Sequence, residues 1–360
     1  MPTSSAAYDR YRATRIFGSF DGLRCLAVLP VVWHHATSGN LPGTLGRGPL
    51  GVDLFFALSG FLITTLLVRE REGVGFVAVG AFIVRRARRI FPLYYAVLAG
   101  FALHAALLLP AGAPERAHFF RSLPFFATYT TNWFVDFAVS HPVYFAFSWS
   151  LAVEEQFYVV WPWLVKVSAR FAAVAAASLL VVDQLAERGA LVAWLPPEGL
   201  EVRLLASVST PICLGALLAV ALHHRRAFLL LSAALGHRAS APVLLAVVSG
   251  CIGLPAPLLP THVALTLLVG ACAVREDNGL RALLTMRPVA HVGAVSYGVY
   301  MLHVAVTGPL KRIDGLGGSA LAVFLIAVPA SVALATLSHR TFEALFRRRV
   351  TRSPRLVVGG

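Results

Sequence analysis

The sequence predicts an all-α integral membrane protein with about ten transmembrane helices and with both termini in the cytoplasm. Hydrophobic residues make up 58% of the chain and charged residues only 13%, whereas a soluble domain carries about 25% charged residues. The apolar residues fall in long runs, as the hydrocarbon core of a bilayer requires. Lysines and arginines are concentrated in alternate connections between these runs, and this asymmetry predicts the orientation.

Ten apolar runs are candidates for spanning helices, because a helix needs about 20 mostly apolar residues to cross the bilayer. The seventh and eighth runs are short, and three prolines crowd the turn between them. We expect a cytoplasmic tail over 1–17, a membrane domain over 18–342 and a basic cytoplasmic tail over 343–360. The ten runs are 18–37, 50–68, 91–110, 144–165, 171–186, 204–222, 241–256, 258–274, 289–308 and 318–338.

The distribution of positive charge supports this topology. With the N-terminus inside, 23 lysines and arginines lie in cytoplasmic segments and seven in external ones, while Arg24 lies within the first span. The positive-inside bias predicts such a split. The net charge of +14 is therefore attributed to topology. We expect the bilayer of the inner (cytoplasmic) membrane as a partner, and no nucleic acid.

No metal centre or disulfide framework is predicted. The four cysteines all lie inside apolar runs and none forms a CxxC pair, so we expect buried free thiols. No HExxH motif is present. The adjacent His34 and His35 point about 100° apart on a helix, so they do not suggest a shared metal.

The first span carries Arg24, His34 and His35. Ionisable residues are costly inside a bilayer, so each is a candidate for function. Arg24 and His35 are eleven residues apart, close to three helical turns, so they share one face at a separation of about 16 Å. The alternative is that Arg24 snorkels to the inner interface and that both histidines lie at the outer one.

The second span begins with another ionisable residue, Asp53, near its predicted external end. Asp53 is a candidate site residue, or it only caps the helix. Ser59 and Gly60 follow, and small residues of this kind allow close helix packing.

An arginine cluster precedes the third span. Arg85, Arg86, Arg88 and Arg89 lie within five residues on the predicted cytoplasmic side, and Pro92 suits the start of the span. Arginine binds phosphate through its planar fork, so the cluster fits a soluble polyphosphate such as a nucleotide or coenzyme. The alternative is a topogenic cluster that also contacts anionic lipid.

The fourth span has two carboxylates, Glu154 and Glu155, in its outer half. Tyr158 lies on the same face as Glu154, four residues later. The ninth span has Ser296, Tyr300 and His303 on one face. The alternative for the carboxylates is a structural salt bridge to another span.

His35, Glu154 and His303 are predicted to reach a similar depth from three spans. A histidine near a buried carboxylate is the usual form of a general base with its orienting group. The same residues also suit a proton relay in a transporter or flippase, so these residues alone do not distinguish an enzyme from a transporter.

Five motifs in this order resemble the membrane acyltransferase-3 family, which includes bacterial O-antigen and exopolysaccharide O-acetylases and macrolide acyltransferases. The resemblance covers roughly residues 17–305. The motifs are Asp21 to Arg24 with His35; Gly51 to Asp53 with 58–62; Arg85 to Pro92; Trp149 to Tyr158; and Ser296 and Tyr297 with Tyr300 and His303.

The resemblance implies ten core spans and transfer of an acyl group, often acetyl, from coenzyme A to a hydroxyl. It implies that His35 is the essential histidine, and it matches Arg24 and Glu154 to family positions. It also implies an Arg-x-x-Arg motif in the arginine cluster. Arg86 with Arg89 is the preferred register for it, although Arg85 with Arg88 fits the spacing equally.

We therefore expect acyl-CoA to dock from the cytoplasm on the arginines. His35 would act as general base or briefly carry the acyl group, with Glu154 orienting it. The site-lining candidates are Asp53, Ser59, Tyr158, Tyr300 and His303. The acceptor hydroxyl would belong to a glycan, a glycolipid or a macrolide. Some family members carry an appended extracytoplasmic hydrolase-like domain, and we expect none here. The alternative stays a proton-coupled transporter or flippase.

Overall fold

The computed structural model describes residues 4–37, 48–190, 199–205, 207, 209–253 and 258–347. Every regular element in these ranges is a helix. In chain order they are α1 (Ser4–Ala13), α2 (Phe20–Ala36), α3 (Leu50–Val74), α4 (Val79–Leu108), α5 (Pro114–Ala127), α6 (Thr131–Phe134), α7 (Ser148–Val167), α8 (Ala169–Glu187), α9 (Leu200–Leu205), α10 (Thr210–His223), α11 (Arg225–Leu235), α12 (Ser240–Gly253), α13 (Leu258–Val274), α14 (Arg281–Leu284), α15 (Arg287–Ala294), α16 (Ser296–Leu310), α17 (Ala320–Arg340) and α18 (Phe342–Arg347).

The described helices include five stretches that are long and apolar enough to cross a membrane. The number rises to seven if each of two bent helix pairs is one span: α11 with α12, bent by 74°, and α15 with α16, bent by 78°. The five are Leu50–Val74, Val79–Leu108, Ala169–Glu187, Leu200–His223 and Ala320–Phe346. The prediction of an all-α, multi-pass membrane protein is confirmed at this level.

A helix lies at each of the ten predicted positions, although some are short or polar for a span. Both α2 and α13 have 17 residues, and α7 carries two adjacent glutamates in its middle. The four cysteines are free thiols; Cys25, Cys213 and Cys272 are buried, as predicted, whereas Cys251 is half-buried.

The start of the third predicted span differs from the sequence prediction. Helix α4 begins at Val79, so Pro92 lies inside it and not at its start. Buried residues continue one stripe through the arginine cluster, with Phe82 before it and Ile90 after it, and their burial stabilises the extra helical turns. The arginines are therefore on a helix, where their spacing decides which way each one points.

Helix α3 contacts α2, α7, α10 and α13, and its approach to α10 is close. A Cβ atom added at Gly60 would collide with the carbonyl oxygen of Ile212, and one added at Gly215 would collide with that of Ala57. Small residues let helix backbones approach in this way. The predicted role of Gly60 in close packing is confirmed.

The segment predicted as an N-terminal tail contains a packed helix, α1. Tyr11 is 2% exposed, and its ring centroid is 5.4 Å from that of Phe228. Arg69 of α3 donates hydrogen bonds to the carbonyl oxygen of Tyr11, at 2.9 Å, and to that of Thr14. Burial raises the pKa of Tyr11 to about 12, so its hydroxyl stays neutral. These contacts hold residues 15–17 beside the start of α2.

We predict that Gly60→Ala destabilises the protein by about 1–3 kcal/mol, because the added methyl group overpacks the α3–α10 contact. The control is Gly100→Ala on α4, where an added Cβ meets no atom within 4 Å and alanine is the better helix former. Thermal unfolding of the two variants in the same detergent is the measurement. Equal melting temperatures would contradict the close α3–α10 approach.

Candidate active site

Two cavities lie inside the helix bundle. The first, of about 550 Å³, is at the end of the bundle where α2 ends and where α3 and α7 begin. We name it the His35 cavity, and its wall includes His34, His35, Gly48, Pro49, Asn132, Phe147, Trp149, Arg203 and Ser207. The second, of about 420 Å³, lies between the start of α2, the middle of α3, the first half of α4 and the middle of α7. We name it the arginine cavity, and its polar wall includes Arg15, Asp21, Arg24, Ser59, Arg86, Arg89, Ser150, Glu154, Tyr158, Ser296 and Tyr297.

The ring of His35 lies beside the ring of His303, with centroids 4.7 Å apart. His303 is fully buried, and its Nδ1 is 2.5 Å from the carbonyl oxygen of Tyr300. A carbonyl oxygen only accepts hydrogen bonds, so Nδ1 carries the hydrogen and Nε2 of the neutral ring keeps a lone pair. That Nε2 has no hydrogen-bond partner within the described ranges. His35 and His303, which were predicted to reach a similar depth, are therefore in contact, and a proton acceptor adjoins the His35 ring.

Glu154 belongs to the arginine cavity. Its Oε1 accepts hydrogen bonds from the hydroxyls of Ser59 and Tyr158, so the predicted shared face with Tyr158 is present. The predicted pairing of Glu154 with His35 is not present. The hydrogen bonds of this carboxylate come from Ser59 of α3 and from Tyr158 of α7. The physical reason is direction on α7. The preceding residue, Val153, lines the His35 cavity, and successive residues of a helix point about 100° apart, so Glu154 faces the arginine cavity.

Arg24 and His35 line different cavities from one helix, α2. Arg24 forms an ion pair with Asp21, one turn earlier, at 2.5 Å. Arg15 also lines the arginine cavity, although sequence reasoning assigned it to topology alone. No motif marks Arg15, since it reaches the cavity only because α1 folds back onto the bundle.

The structure distinguishes the two possible registers of the arginine cluster. Arg86 and Arg89 line the arginine cavity, whereas Arg85 and Arg88 are not part of its wall. Arg86 is half-buried, and the other three arginines of the cluster are exposed. The guanidinium of Arg86 lies 5.6 Å from the ring centroid of Tyr158, a cation–π distance. The geometry therefore favours Arg86 with Arg89 as the pair that faces a ligand.

Asp53 lines neither cavity, contrary to the sequence prediction. Its Oδ2 lies 3.3 Å from Nε2 of His262, which is buried in α13. A cap is not its role either, because Asp53 pairs with another helix. His262 was missed by sequence reasoning, since a lone histidine in an apolar run gives no indication of its partner.

Tyr300 and Val52 line both cavities. The Tyr300 hydroxyl donates to the carbonyl oxygen of Phe147 at 2.8 Å and lies 2.5 Å from Oγ of Ser150. Phe147 faces the His35 cavity and Ser150 faces the arginine cavity. Ser296, the third candidate on this helix face, lines the arginine cavity. The two cavities are therefore neighbours that share a wall.

This arrangement separates two kinds of chemistry. Four guanidinium groups around the arginine cavity suit an anionic ligand, because arginine binds phosphate oxygens through paired N–H groups. The adjacent imidazoles of the His35 cavity suit proton transfer or nucleophilic attack.

Comparisons with known proteins agree with this chemistry. A family model described as an acyltransferase domain matches residues 17–340. A Bacillus subtilis protein named "Putative peptidoglycan O-acetyltransferase YrhL" is 28% identical over 374 residues, covering 96% of this chain and 57% of that protein. The peptidoglycan O-acetyltransferase OatA of Listeria monocytogenes is 34% identical over 150 residues, covering 40% of this chain and 23% of OatA. A Staphylococcus aureus protein named "Putative O-acetyltransferase" is 34% identical over 161 residues, covering 43% of this chain and 26% of that protein.

The aligned regions thus span about a quarter to somewhat more than half of these relatives. No solved structure matches the chain. The family match, in contrast, extends from the segment before α2 through α17 and includes every described lining residue of the two cavities except Arg15 and Ile16. On this evidence the chain belongs to the acyltransferase-3 family.

Proposed function

We propose that this protein is a membrane-bound O-acyltransferase that moves an acyl group, acetyl in the simplest case, from acyl-CoA to an acceptor hydroxyl. The observation that carries the proposal is the pair of adjoining cavities, one rich in arginine and one containing His35. Family membership supplies the reaction class. No metal is required by this scheme.

The arginine cavity is proposed as the donor site. Arg24 is already paired with Asp21, whereas Arg15, Arg86 and Arg89 have no ion-pair partner within 4.0 Å in the described part of the chain. These three guanidinium groups are the ones available for the phosphates of coenzyme A. The pantetheine arm would lie in the cavity, with its thioester toward the shared wall.

Glu154 acts in this proposal as a positioning residue. Its carboxylate holds the Tyr158 hydroxyl, and Arg86 lies over the Tyr158 ring. The carboxylate therefore helps to fix the arginine that receives the phosphates. This role replaces the predicted orientation of His35.

His35 is the proposed catalytic residue, and two routes use it. In a direct route, His35 takes the proton of the acceptor hydroxyl as its oxygen attacks the thioester carbonyl. The C–S bond then breaks, and the coenzyme A sulfur leaves with a proton. In a relay, an imidazole nitrogen of His35 attacks first and releases coenzyme A. The acceptor hydroxyl then takes the acyl group from the acyl-imidazole and restores His35.

The proposed topology has ten crossings and both termini in the cytoplasm, on the basis of the 23-to-7 division of positive charge. The arginine cavity then opens toward cytoplasmic acyl-CoA, and the His35 cavity opens on the opposite side of the inner membrane. The names of the relatives suggest a peptidoglycan or other cell-envelope glycan hydroxyl as the acceptor. A glycolipid or macrolide acceptor would use the same chemistry.

We predict that His35→Ala lowers the rate of acyl transfer by about 10²–10⁴-fold, the usual contribution of a general base. His34→Ala is the matched control, because His34 is the neighbouring residue and also lines the cavity. It should retain most of the activity. Release of coenzyme A thiol and formation of acyl ester by purified protein are the measurements. If His34→Ala loses activity and His35→Ala keeps it, His34 and not His35 is the catalytic residue.

If the arginine cavity is the donor site, replacing both Arg86 and Arg89 with glutamine should raise the KM for acyl-CoA about ten-fold or more. Each lost charge-assisted hydrogen bond contributes about 1.5–3 kcal/mol. The double replacement of Arg85 and Arg88 removes the same charge from the exposed face of α4 and is the control. If the two double variants have the same KM, the cluster serves topology and not donor binding.

Sidedness separates the proposed enzyme from a transporter. Purified protein in sealed vesicles of known orientation receives radiolabelled acetyl-CoA at the arginine-cavity face and a peptidoglycan fragment at the other face. We expect label in an ester on the far side and free coenzyme A on the donor side. Ester formed only in a shared compartment would overturn the through-membrane geometry. An unmodified fragment that crosses the vesicle wall without any ester would favour the transporter.

A further inference from the structure

The two cavities share a wall, and Tyr300 is its larger side chain. Among the residues that the structure describes, only Val52 and Tyr300 line both cavities. An acyl group that starts on a thioester in the arginine cavity and ends on a hydroxyl in the His35 cavity has to pass this wall. The inference below therefore rests on the proposed function.

The side chain of Tyr300 is fixed in place from both sides. It is 6% exposed, and its hydroxyl bonds to the Phe147 carbonyl oxygen and to Oγ of Ser150. Its ring centroid is 5.9 Å from that of Phe147 and 6.5 Å from that of Phe55. Phe147 and Ser150 are one helical turn apart and face different cavities, so the ring spans the boundary between them.

The partition also adjoins the proposed catalytic histidine. The carbonyl oxygen of Tyr300 accepts the Nδ1 hydrogen of His303, and the His303 ring contacts His35. The backbone of Tyr300 is therefore part of the imidazole arrangement, while its side chain closes the passage beside it. A change confined to the side chain alters the passage and leaves the backbone carbonyl present.

We propose that Tyr300 is the specificity-determining residue for the acyl group: its ring admits a short acyl chain to the His35 cavity, excludes longer chains and keeps water from the thioester. Val52 is the second residue of this wall, since it also lines both cavities. With the ring removed, water reaches the thioester carbonyl carbon. The C–S bond then breaks, a carboxylic acid forms, and coenzyme A leaves as the thiol with the proton that the water supplied.

The experiment uses the purified full chain with acetyl-CoA and butanoyl-CoA, and it measures thiol release with and without a peptidoglycan-fragment acceptor. For Tyr300→Ala we expect the butanoyl-to-acetyl rate ratio to rise roughly ten-fold or more, since each methylene accommodated or rejected changes a rate by about 10-fold to 200-fold. We also expect acceptor-independent thiol release to increase. Tyr300→Phe keeps the ring and loses the hydroxyl contacts, so its change should be intermediate.

Two further variants keep the test decisive if Tyr300→Ala does not fold. Val52→Ala opens the same wall from α3 and should shift the chain-length ratio in the same direction by a smaller factor. Tyr94→Phe is the matched control: Tyr94 is buried, lines neither cavity and donates a comparable hydrogen bond to the Phe126 carbonyl oxygen at 2.7 Å. Removing this hydrogen bond should leave the butanoyl-to-acetyl rate ratio unchanged.

The outcomes separate this inference from the proposed function. If wild-type protein releases no thiol from either donor with acceptor present, the acyl-CoA-dependent function fails. If wild-type protein is active but the ratio is the same in Tyr300→Ala, Tyr300→Phe and Val52→Ala, the partition is overturned and the function stands. A ratio that also rises in Tyr94→Phe would indicate general loosening of the bundle, and it would overturn the specific role of Tyr300.

Discussion

The cost of placing polar groups in hydrocarbon governs this structure. Lipid cannot hydrogen-bond a backbone amide or solvate a charge, so every regular element in the described ranges is a helix and the chemically active side chains turn toward internal cavities. Glu154 illustrates the constraint, because its carboxylate in the middle of α7 is satisfied by two hydroxyls. Charged side chains that would be costly against lipid thus line cavities inside the bundle.

Close packing of α3 makes the two cavities possible. Gly60 brings α3 against the backbone of α10, while Val52 and Ser59 on the same helix line the cavities. The break before Ser296 bends the chain by 78°, so α16 runs in a different direction from α15. Tyr300 of α16 reaches α7 at Phe147 and Ser150, so one tyrosine closes the space between donor and acceptor sides.

Local periodicity was enough to predict the candidates on single helices. The eleven-residue spacing of Arg24 and His35 predicted a shared face of α2, because three helical turns are nearly eleven residues, and each of the two residues lines an internal cavity. The spacing of Glu154 and Tyr158 correctly predicted a shared face. The start of α4 was not predicted, because Pro92 is common at a first turn and its tolerance inside the helix depends on the burial of flanking residues such as Phe82 and Ile90.

By itself the sequence determined the helical, membrane-embedded class, the resemblance to the family, and the residues that face inward on each helix, since these follow from composition, motif order and helical period. Only the tertiary structure decided which inward-facing residues meet. It paired Glu154 with Ser59, joined Asp53 to His262, and brought Arg15 to the arginine cavity. It also selected Arg86 and Arg89 over their neighbours. The physical reason is that the helical period is a local property, whereas contacts between helices depend on depth, tilt and bends that many distant residues set together.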